Sequence, residues 1–248
     1  MAAVVAAGAV ALVVGVLGAP SEGEDTPVRV ERPKPSRTSR PASSPGPKAS
    51  PTPTPTPTPP PVIRGFRFPL EGACIPAEDD LIPNAPREYR FGVHEGVDFY
   101  SGRACATIDR GMPVMAARTG IVIRADVDYK DITQEEMDGL LARSAQEGST
   151  APEVLDRLRG RQVWIDHGNG VVTRYCHLLS VEPGIAVDVA VAVGQAVGHV
   201  GNSGTPEGVS DPNMENHLHF EIRVGDGYLG QGLSPAETRL LWEGAFSP

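Results

Sequence analysis

The residues of this chain best suited to chemistry are histidines, and four of the six lie in three short motifs. An H-x-x-x-D motif contains His94 and Asp98, the sequence YCH ends at His177, and an H-x-H motif contains His217 and His219. Two imidazole nitrogens and one carboxylate, with a fourth position left for water, make up a catalytic zinc site. The three motifs together therefore hold the donors for such a site.

The spacing within the motifs restricts how they are positioned. Gly96 and the strand-like sequence VDFY argue against a helix through the H-x-x-x-D motif. A fully extended chain would separate its ends by about 13 Å, so we expect a bend, which Gly96 permits. The H-x-H motif lies in the strand-like sequence NHLHFEIRV, where alternation places both imidazoles on one face. Cys176 is expected to project to the face opposite His177, which makes it a poor ligand.

The elements that must position these motifs are mostly strands. From Phe66 onward, short β-like runs are broken by Gly and Pro, with turn residues roughly every 8 to 12 positions. This pattern predicts a mainly β domain, an antiparallel sandwich or a barrel-like fold. The sequence GNGVV, between VWIDH and VVTRYCHL, predicts a β-hairpin.

Residues 131–160 interrupt the β pattern and predict an inserted αα-hairpin. Thr133 and Thr150 each begin a T-x-x-E sequence that is typical of a helix N-terminal capping box, and Gly160 is the expected end of the second helix. Two roles are open for this insertion: a lid on one end of the sheet, or a wall of a binding groove or partner surface.

Composition divides the chain into three parts. Residues 1–19 are an apolar run close to the start, typical of a signal peptide or of a signal anchor that holds the chain at a membrane. Residues 20–62 are rich in Pro and Thr and poor in large apolar residues, which predicts a disordered basic linker. Residues 63–248 form the remaining domain. Acidic residues dominate it, which excludes the basic surface needed to bind nucleic acid.

The sequences HEGVDF, VWIDHGNGVVTRYCHL, VAVGQAVGHVGNSG and NHLHFE occur in this order and resemble the lysostaphin and LytM family of zinc endopeptidases. The resemblance covers residues 91 to 224 and implies an antiparallel β fold with a long groove walled by loops. It implies that His94, Asp98 and His219 bind one Zn²⁺ ion. It also implies that His177 and His217 are catalytic residues beside a zinc-activated water.

The function implied by the resemblance is that of an exported zinc metalloendopeptidase. Its partners are peptidoglycan stem peptides, its reaction is hydrolysis of peptide cross-links, and its location is extracytoplasmic. The alternative is a cell-wall-binding or regulatory module that has the same fold without catalysis. The loop TPEGVSDPNMEN and the insertion at residues 131–160 depart from the family pattern, and we expect both to affect substrate choice.

The remaining histidines and the three cysteines have structural interpretations. We expect His167 to stabilise a tight turn and His199 to face solvent in a Gly-rich turn. Three cysteines in an exported protein allow one disulfide and one free thiol. We predict that Cys74 pairs with Cys105, which would close a loop around the H-x-x-x-D motif.

Overall fold

The computed structural model of the chain describes residues 63–247. The predictions for residues 1–19 and 20–62 lie outside the described residues. The strands are Pro86–Arg87 (β1), Gly92–Val93 (β2), Val97–Tyr100 (β3), Pro113–Met115 (β4), Gly120–Ala125 (β5), Val163–Asp166 (β6), Val171–Cys176 (β7), Ser180–Val181 (β8), Ala190–Val191 (β9), Ala196–His199 (β10), His217–Val224 (β11) and Gly227–Tyr228 (β12). The α-helices are Gln134–Glu147 (α1), Pro152–Leu158 (α2), Pro206–Ser210 (α3) and Pro235–Ala245 (α4), and short 3₁₀ turns cover Asp79–Leu81 and Glu88–Arg90.

The largest sheet is antiparallel and is centred on β11. One edge of β11 pairs with β7, which is followed in order by β6, β5 and β9, and its other edge pairs with β3 and β12. Strands β4, β10 and β8 form a second antiparallel sheet, and β1 pairs with β2. The mainly β, antiparallel prediction is confirmed, as is the β6–β7 hairpin. The described strands do not close a barrel.

Strand β11 separates the hydrophobic core from the polar face of the sheet. Leu218, Phe220 and Ile222 are fully buried in the main core, where each apolar side chain contributes about 1.5–3 kcal/mol. The alternate positions His217 and His219 lie on the other face because side chains alternate along a strand. The same alternation that builds the core therefore presents the histidines.

The predicted αα-hairpin is present as α1 and α2, between β5 and β6. Its four buried apolar residues form a separate small core: Ile132, Met137, Val154 and Leu158. Thr133 caps α1 as predicted, since its hydroxyl accepts a hydrogen bond from the Glu136 backbone N–H at 3.2 Å. The same prediction for Thr150 is wrong. Pro152 begins α2 and Ala151 occupies the N-cap, while the Thr150 hydroxyl donates to the backbone carbonyl of Arg90.

Two helices were not predicted from the sequence. Helix α3 lies in the loop before β11, and α4 carries Trp242 into the main core. Ser234 and Glu237 form a reciprocal capping box at the start of α4. The sequence S-P-A-E was therefore a signal that could have revealed this helix.

The predicted disulfide between Cys74 and Cys105 is confirmed, and Cys176 is a buried free thiol. The disulfide closes a loop with a sequence separation of 31 residues around β2 and β3. Within residues 63–247, every helix is too short or too polar to cross a membrane.

Candidate metal centre

Three side chains meet at one point on the polar face of the sheet. The Nε2 atom of His94, the Oδ1 atom of Asp98 and the Nδ1 atom of His219 lie 2.8 to 2.9 Å from one another. Tetrahedral zinc ligands with bonds of about 2.0 Å are separated by about 3.3 Å, so a shift of a few tenths of an ångström would admit the ion. All three residues are buried. Their donor types and spacing fit a zinc site.

Strand register and a close backbone approach create this convergence. Pairing of β3 with β11 places Asp98 directly opposite His219. A Cβ at Gly96 would lie 2.3 Å from the carbonyl oxygen of Phe220, so only glycine fits there. The expected bend through Gly96 is not a left-handed turn, because Gly96 is absent from the residues with positive φ. What the site requires at Gly96 is space for β11.

Each of the three residues has a further partner that fixes its orientation. The Nδ1–H group of His94 donates to the carbonyl of Ile82 at 3.1 Å, and the Nε2–H group of His219 donates to Glu221 at 3.0 Å. The Oδ2 atom of Asp98 accepts from Arg87 at 2.9 Å. These partners hold both rings so that Nε2 of His94 and Nδ1 of His219 face Asp98, and metal binding requires these two atoms to be unprotonated.

His177 and His217 lie beside these three residues. Their ring centroids are 4.9 Å apart, and that of His177 is 5.6 Å from that of His219. Both Nδ1–H groups donate to backbone carbonyls at 2.8 Å, those of Ser203 and Glu215 respectively. Each Nε2 atom is therefore the unprotonated nitrogen of its ring, and that of His217 lies 3.5 Å from the Tyr100 hydroxyl. His177 has a left-handed backbone with φ of 60°, a strained conformation for a non-glycine residue.

Burial controls the protonation of the site. It lowers the pKa of His94 to about 4 and the pKa of His177 well below its usual value, and it also lowers that of His217. Burial opposes ionisation of Asp98, but the charge of His94 and hydrogen bonds from both neighbouring histidines hold its pKa well below the usual range. His177 and His217 are therefore neutral at pH 7.

The pKa of His219 shifts in the opposite direction. Burial lowers its pKa, but its hydrogen bonds to Asp98 and Glu221 outweigh burial and raise that pKa overall. Glu221 stays ionised because, although burial opposes it, the charge of Arg159 lowers the pKa of its carboxyl. The two carboxylates on either side of His219 thus make its ring more basic.

Glu221, the hydrogen-bond partner of His219, belongs to a buried ion-pair cluster. The sequence analysis missed this cluster. Glu221 is completely buried, and Arg159 donates from Nε to Glu221 and from Nη2 to Glu95, both at 2.6 Å. Arg223 also donates to Glu95 at 2.5 Å. The sequence did contain a signal for Glu221, because alternation along β11 places it on the same face as His219.

The expectation that Cys176 projects away from the site is wrong, because it lies directly opposite His219 in the β7–β11 pairing and His177 breaks the alternation with its left-handed backbone. Cys176, His219 and Glu221 form a second cluster of potential ligands. Arg159 lies against Glu221 in this cluster, so a cation there would meet a guanidinium. Burial also raises the pKa of the Cys176 thiol well above its usual value, which disfavours the thiolate that metals require. The set of His94, Asp98 and His219 is the better metal site.

The other predicted residues lie away from the site. His167 bonds to the Thr119 carbonyl at 2.9 Å and to the Thr173 hydroxyl at 2.8 Å, consistent with a structural role. The prediction that His199 faces solvent from a turn is wrong. It ends β10, its side chain is only 28% exposed, and it contacts Ser180 at 3.0 Å and Glu182 at 3.4 Å.

The site lies in a cavity of about 520 Å³. Its walls come from the turn at residues 88–90, the helical hairpin and the loop that contains α3. Tyr100 also lines the cavity, with its ring stacked on His217 at 4.2 Å. Sequence reasoning missed Tyr100, although its place at the end of β3, two residues after Asp98, put it on the same face.

Comparison with known proteins assigns this chain to a family. The profile of peptidase family M23 matches residues 92–230, which is more than half of the chain. The chain belongs to peptidase family M23. The resemblance to lysostaphin-type peptidases predicted from the sequence is thereby confirmed.

Several solved structures are similar to this chain. A zinc-containing peptidase from Vibrio cholerae is 20% identical with a TM-score of 0.41, and the match covers 66% of this chain and 38% of that one. The catalytic domain of lysostaphin from Staphylococcus simulans is 20% identical with a TM-score of 0.33, covering 69% and 81%. A variant of the catalytic domain of the prophage-encoded M23 protein EnpA from Enterococcus faecalis is 18% identical with a TM-score of 0.35, covering 58% and 77%. No curated protein sequence matches the chain.

Proposed function

We propose that this protein is a zinc metallopeptidase that hydrolyses peptide cross-links in bacterial peptidoglycan. The observation that carries the proposal is the convergence of His94, Asp98 and His219 with ligand atoms within 2.9 Å of one another. Membership of peptidase family M23 supports the same reaction class. The similar structures include the peptidase lysostaphin, which is described as antimicrobial.

His94, Asp98 and His219 are the residues that would hold the zinc ion. When bound, zinc polarises the scissile carbonyl and lowers the pKa of water towards 7. Arg87 and Glu221 keep the ligands oriented, through Asp98 and His219 respectively.

His177 and His217 are the proposed catalytic residues. Both are neutral at pH 7, so either Nε2 atom can accept a proton from the attacking water. In the hydrolysis, the water oxygen bonds to the carbonyl carbon, the C–N bond breaks, and the leaving amine takes up a proton. The histidine that accepted the proton can return it to that amine. Tyr100 fixes the ring plane of His217 by stacking.

The proposed location is outside the cytoplasm. Residues 1–19 would serve as a signal peptide or a membrane anchor, and residues 20–62 as a basic spacer that favours anionic wall polymers. Residues 63–248 would form the peptidase domain presented by that spacer.

Digestion of purified peptidoglycan, with identification of the products by mass spectrometry, tests the proposal. The zinc-loaded protein should release cross-linked peptides, and the Asp98→Ala variant should release none. The His177→Ala variant should keep its zinc and lose turnover, while the matched variant His167→Ala should keep both. Binding to peptidoglycan without product formation by the zinc-loaded protein would instead favour the non-catalytic wall-binding module.

A further inference from the structure

The helical hairpin is attached to the other two walls of the cavity, the turn at residues 88–90 and the loop that contains α3. On one wall, the Thr150 hydroxyl donates to the carbonyl of Arg90, which belongs to the turn at residues 88–90. On the other wall, Val209 of α3 packs against the apolar core of the hairpin. One element thus connects the two walls. Side chains from the hairpin, including Leu141, Leu155 and Leu158, line the cavity where this connection is made.

Because the hairpin connects these two walls, it limits how a peptide can occupy the cavity, which we call the groove from here on. The cavity volume of about 520 Å³ is typical of sites for small ligands, which range from about 300 to 1,000 Å³. An extended peptide advances about 3.3 Å per residue, so a chain that continued past the hairpin would have to displace it. The hairpin end of the groove therefore suits the end of a chain.

Arg90 identifies which end of a peptide would be recognised. Its residue is only 5% exposed and lines the cavity. Its guanidinium donates to the Val93 carbonyl at 2.6 Å and to the Thr150 hydroxyl at 3.4 Å. Among the described residues it has no carboxylate partner, whereas Arg87 and Arg159 are paired with acidic side chains. Buried charges are normally paired, so this guanidinium is suited to a carboxylate supplied by a ligand.

The chain makes room for this guanidinium. A Cβ at Gly92 would lie 2.3 Å from Nη1 of Arg90 and 2.8 Å from the Thr150 hydroxyl. Glycine at position 92 therefore lets Arg90 fold under the hairpin, beside the cavity. The position of Arg90 depends on contacts from two elements rather than on a single mobile side chain.

We propose that the hairpin closes one end of the groove and that Arg90 binds the free carboxylate of a substrate whose scissile bond lies close to a carboxyl terminus. This inference rests on the proposed peptidase function. The substrate class is a short peptide, or a cross-linked stem peptide, with a free carboxylate and with uncharged groups against the three leucines. The open end of the groove accepts the rest of the peptide, so length on the amino side is tolerated.

Synthetic stem pentapeptides test the proposal as free acids, as carboxyl-terminal amides, and with three glycines added at either end. Loss of the charge-assisted hydrogen bond should lower kcat/KM for the amide by about 10- to 100-fold. The carboxyl-terminal extension should lower it at least as much. The amino-terminal extension should change it by less than about threefold, because that side of the peptide leaves the closed end.

Variants separate recognition of the carboxylate from general damage to the fold. Arg90→Gln should raise KM for the free acid to the value that wild type has for the amide. The same substitution should change KM for the amide little. Arg90→Lys keeps the positive charge and should retain part of the preference for the free acid over the amide. Arg143→Gln, an exposed arginine on the same hairpin, is the matched control and should behave as wild type. Circular dichroism and the melting temperature verify that each variant is folded.

The outcomes distinguish this inference from the proposed function. Equal cleavage of acid, amide and both extended peptides would overturn the closed groove and leave the peptidase function standing. If no peptide is cut, the peptidase function fails for these substrates, and calorimetric binding of the free acid and amide to the zinc-loaded protein decides the inference. Tighter binding of the acid that Arg90→Gln removes would support the carboxylate site; equal or absent binding would overturn it.

Discussion

The large sheet and the helical hairpin contribute to the same cavity in different ways. The sheet presents its site residues through strand register, with Asp98 opposite His219 and with the main core directly beneath them. The hairpin has a separate core of four buried residues and reaches the cavity through leucines and through Thr150. The proposed chemistry thus rests on the sheet and the main core, whereas the proposed substrate choice rests on a hairpin that has a core of its own.

The largest effects are expected from the metal ligands. Asp98→Ala and His219→Ala should each lower zinc affinity more than 100-fold, because even the loss of a hydrogen-bonding partner of a ligand costs about 10- to 100-fold. Zinc content after dialysis against a weak chelator measures the effect. Retention of one zinc per chain by both variants would show that the sheet does not hold the metal through these residues.

Glu221 is expected to have the next largest effect, because it orients His219 and balances Arg159. Glu221→Gln should lower zinc affinity by about 10- to 100-fold. It should also destabilise the fold by about 3–5 kcal/mol, since Arg159 loses its most buried partner. Titration with a zinc-competing dye and urea unfolding measure the two effects separately. Unchanged zinc affinity in a folded variant would restrict Glu221 to a structural role.

Truncation of the two cores tests whether the hairpin is a separate unit. Ile222→Ala, in the main core, should lower the free energy of global unfolding by about 2–5 kcal/mol. Met137→Ala, in the hairpin core, should mainly speed hydrogen exchange in α1 and α2 and leave exchange in β11 nearly unchanged. Equal acceleration of exchange in both regions would show that the two cores unfold together.

The smallest predicted effect concerns the ion pair between Glu136 and Arg157, which links α1 to α2. The hydrogen bond from Arg157 lowers the pKa of Glu136. A carboxylate with a lowered folded-state pKa stabilises the fold above its unfolded pKa of about 4.5, and that contribution is lost as pH falls through the folded value. Because the pair is partly exposed, the contribution at pH 7 should be at most about 1 kcal/mol.

The pH dependence of hairpin stability, compared between wild type and Glu136→Gln, measures the contribution of this ion pair. The difference in hydrogen exchange of α2 between wild type and Glu136→Gln should be present at pH 7 and should shrink below about pH 4.5. A difference that grows with acidity would contradict the assigned direction of the pKa shift.

The sequence predicted the mainly β fold and the hairpin because hydrophobic alternation and capping signals are local. It also indicated the shared face of His217 and His219, since strand periodicity alone determines it. Contacts between distant segments left no such signal. The burial of Arg90 beside Gly92, the pairing of Arg159 with Glu221, and the displacement of Thr150 from its expected capping position depend on how the hairpin packs against the sheet. Helix α4 was missed although its capping sequence S-P-A-E is a local signal.

X-ray absorption spectroscopy of the zinc-loaded protein tests the central claim most directly. The account predicts one zinc per chain with only nitrogen and oxygen ligands at about 2.0 Å, including two imidazoles, and loss of this signal in His219→Ala. A sulfur ligand at about 2.3 Å would place the metal at Cys176 and contradict the account, as would a folded protein that binds no zinc.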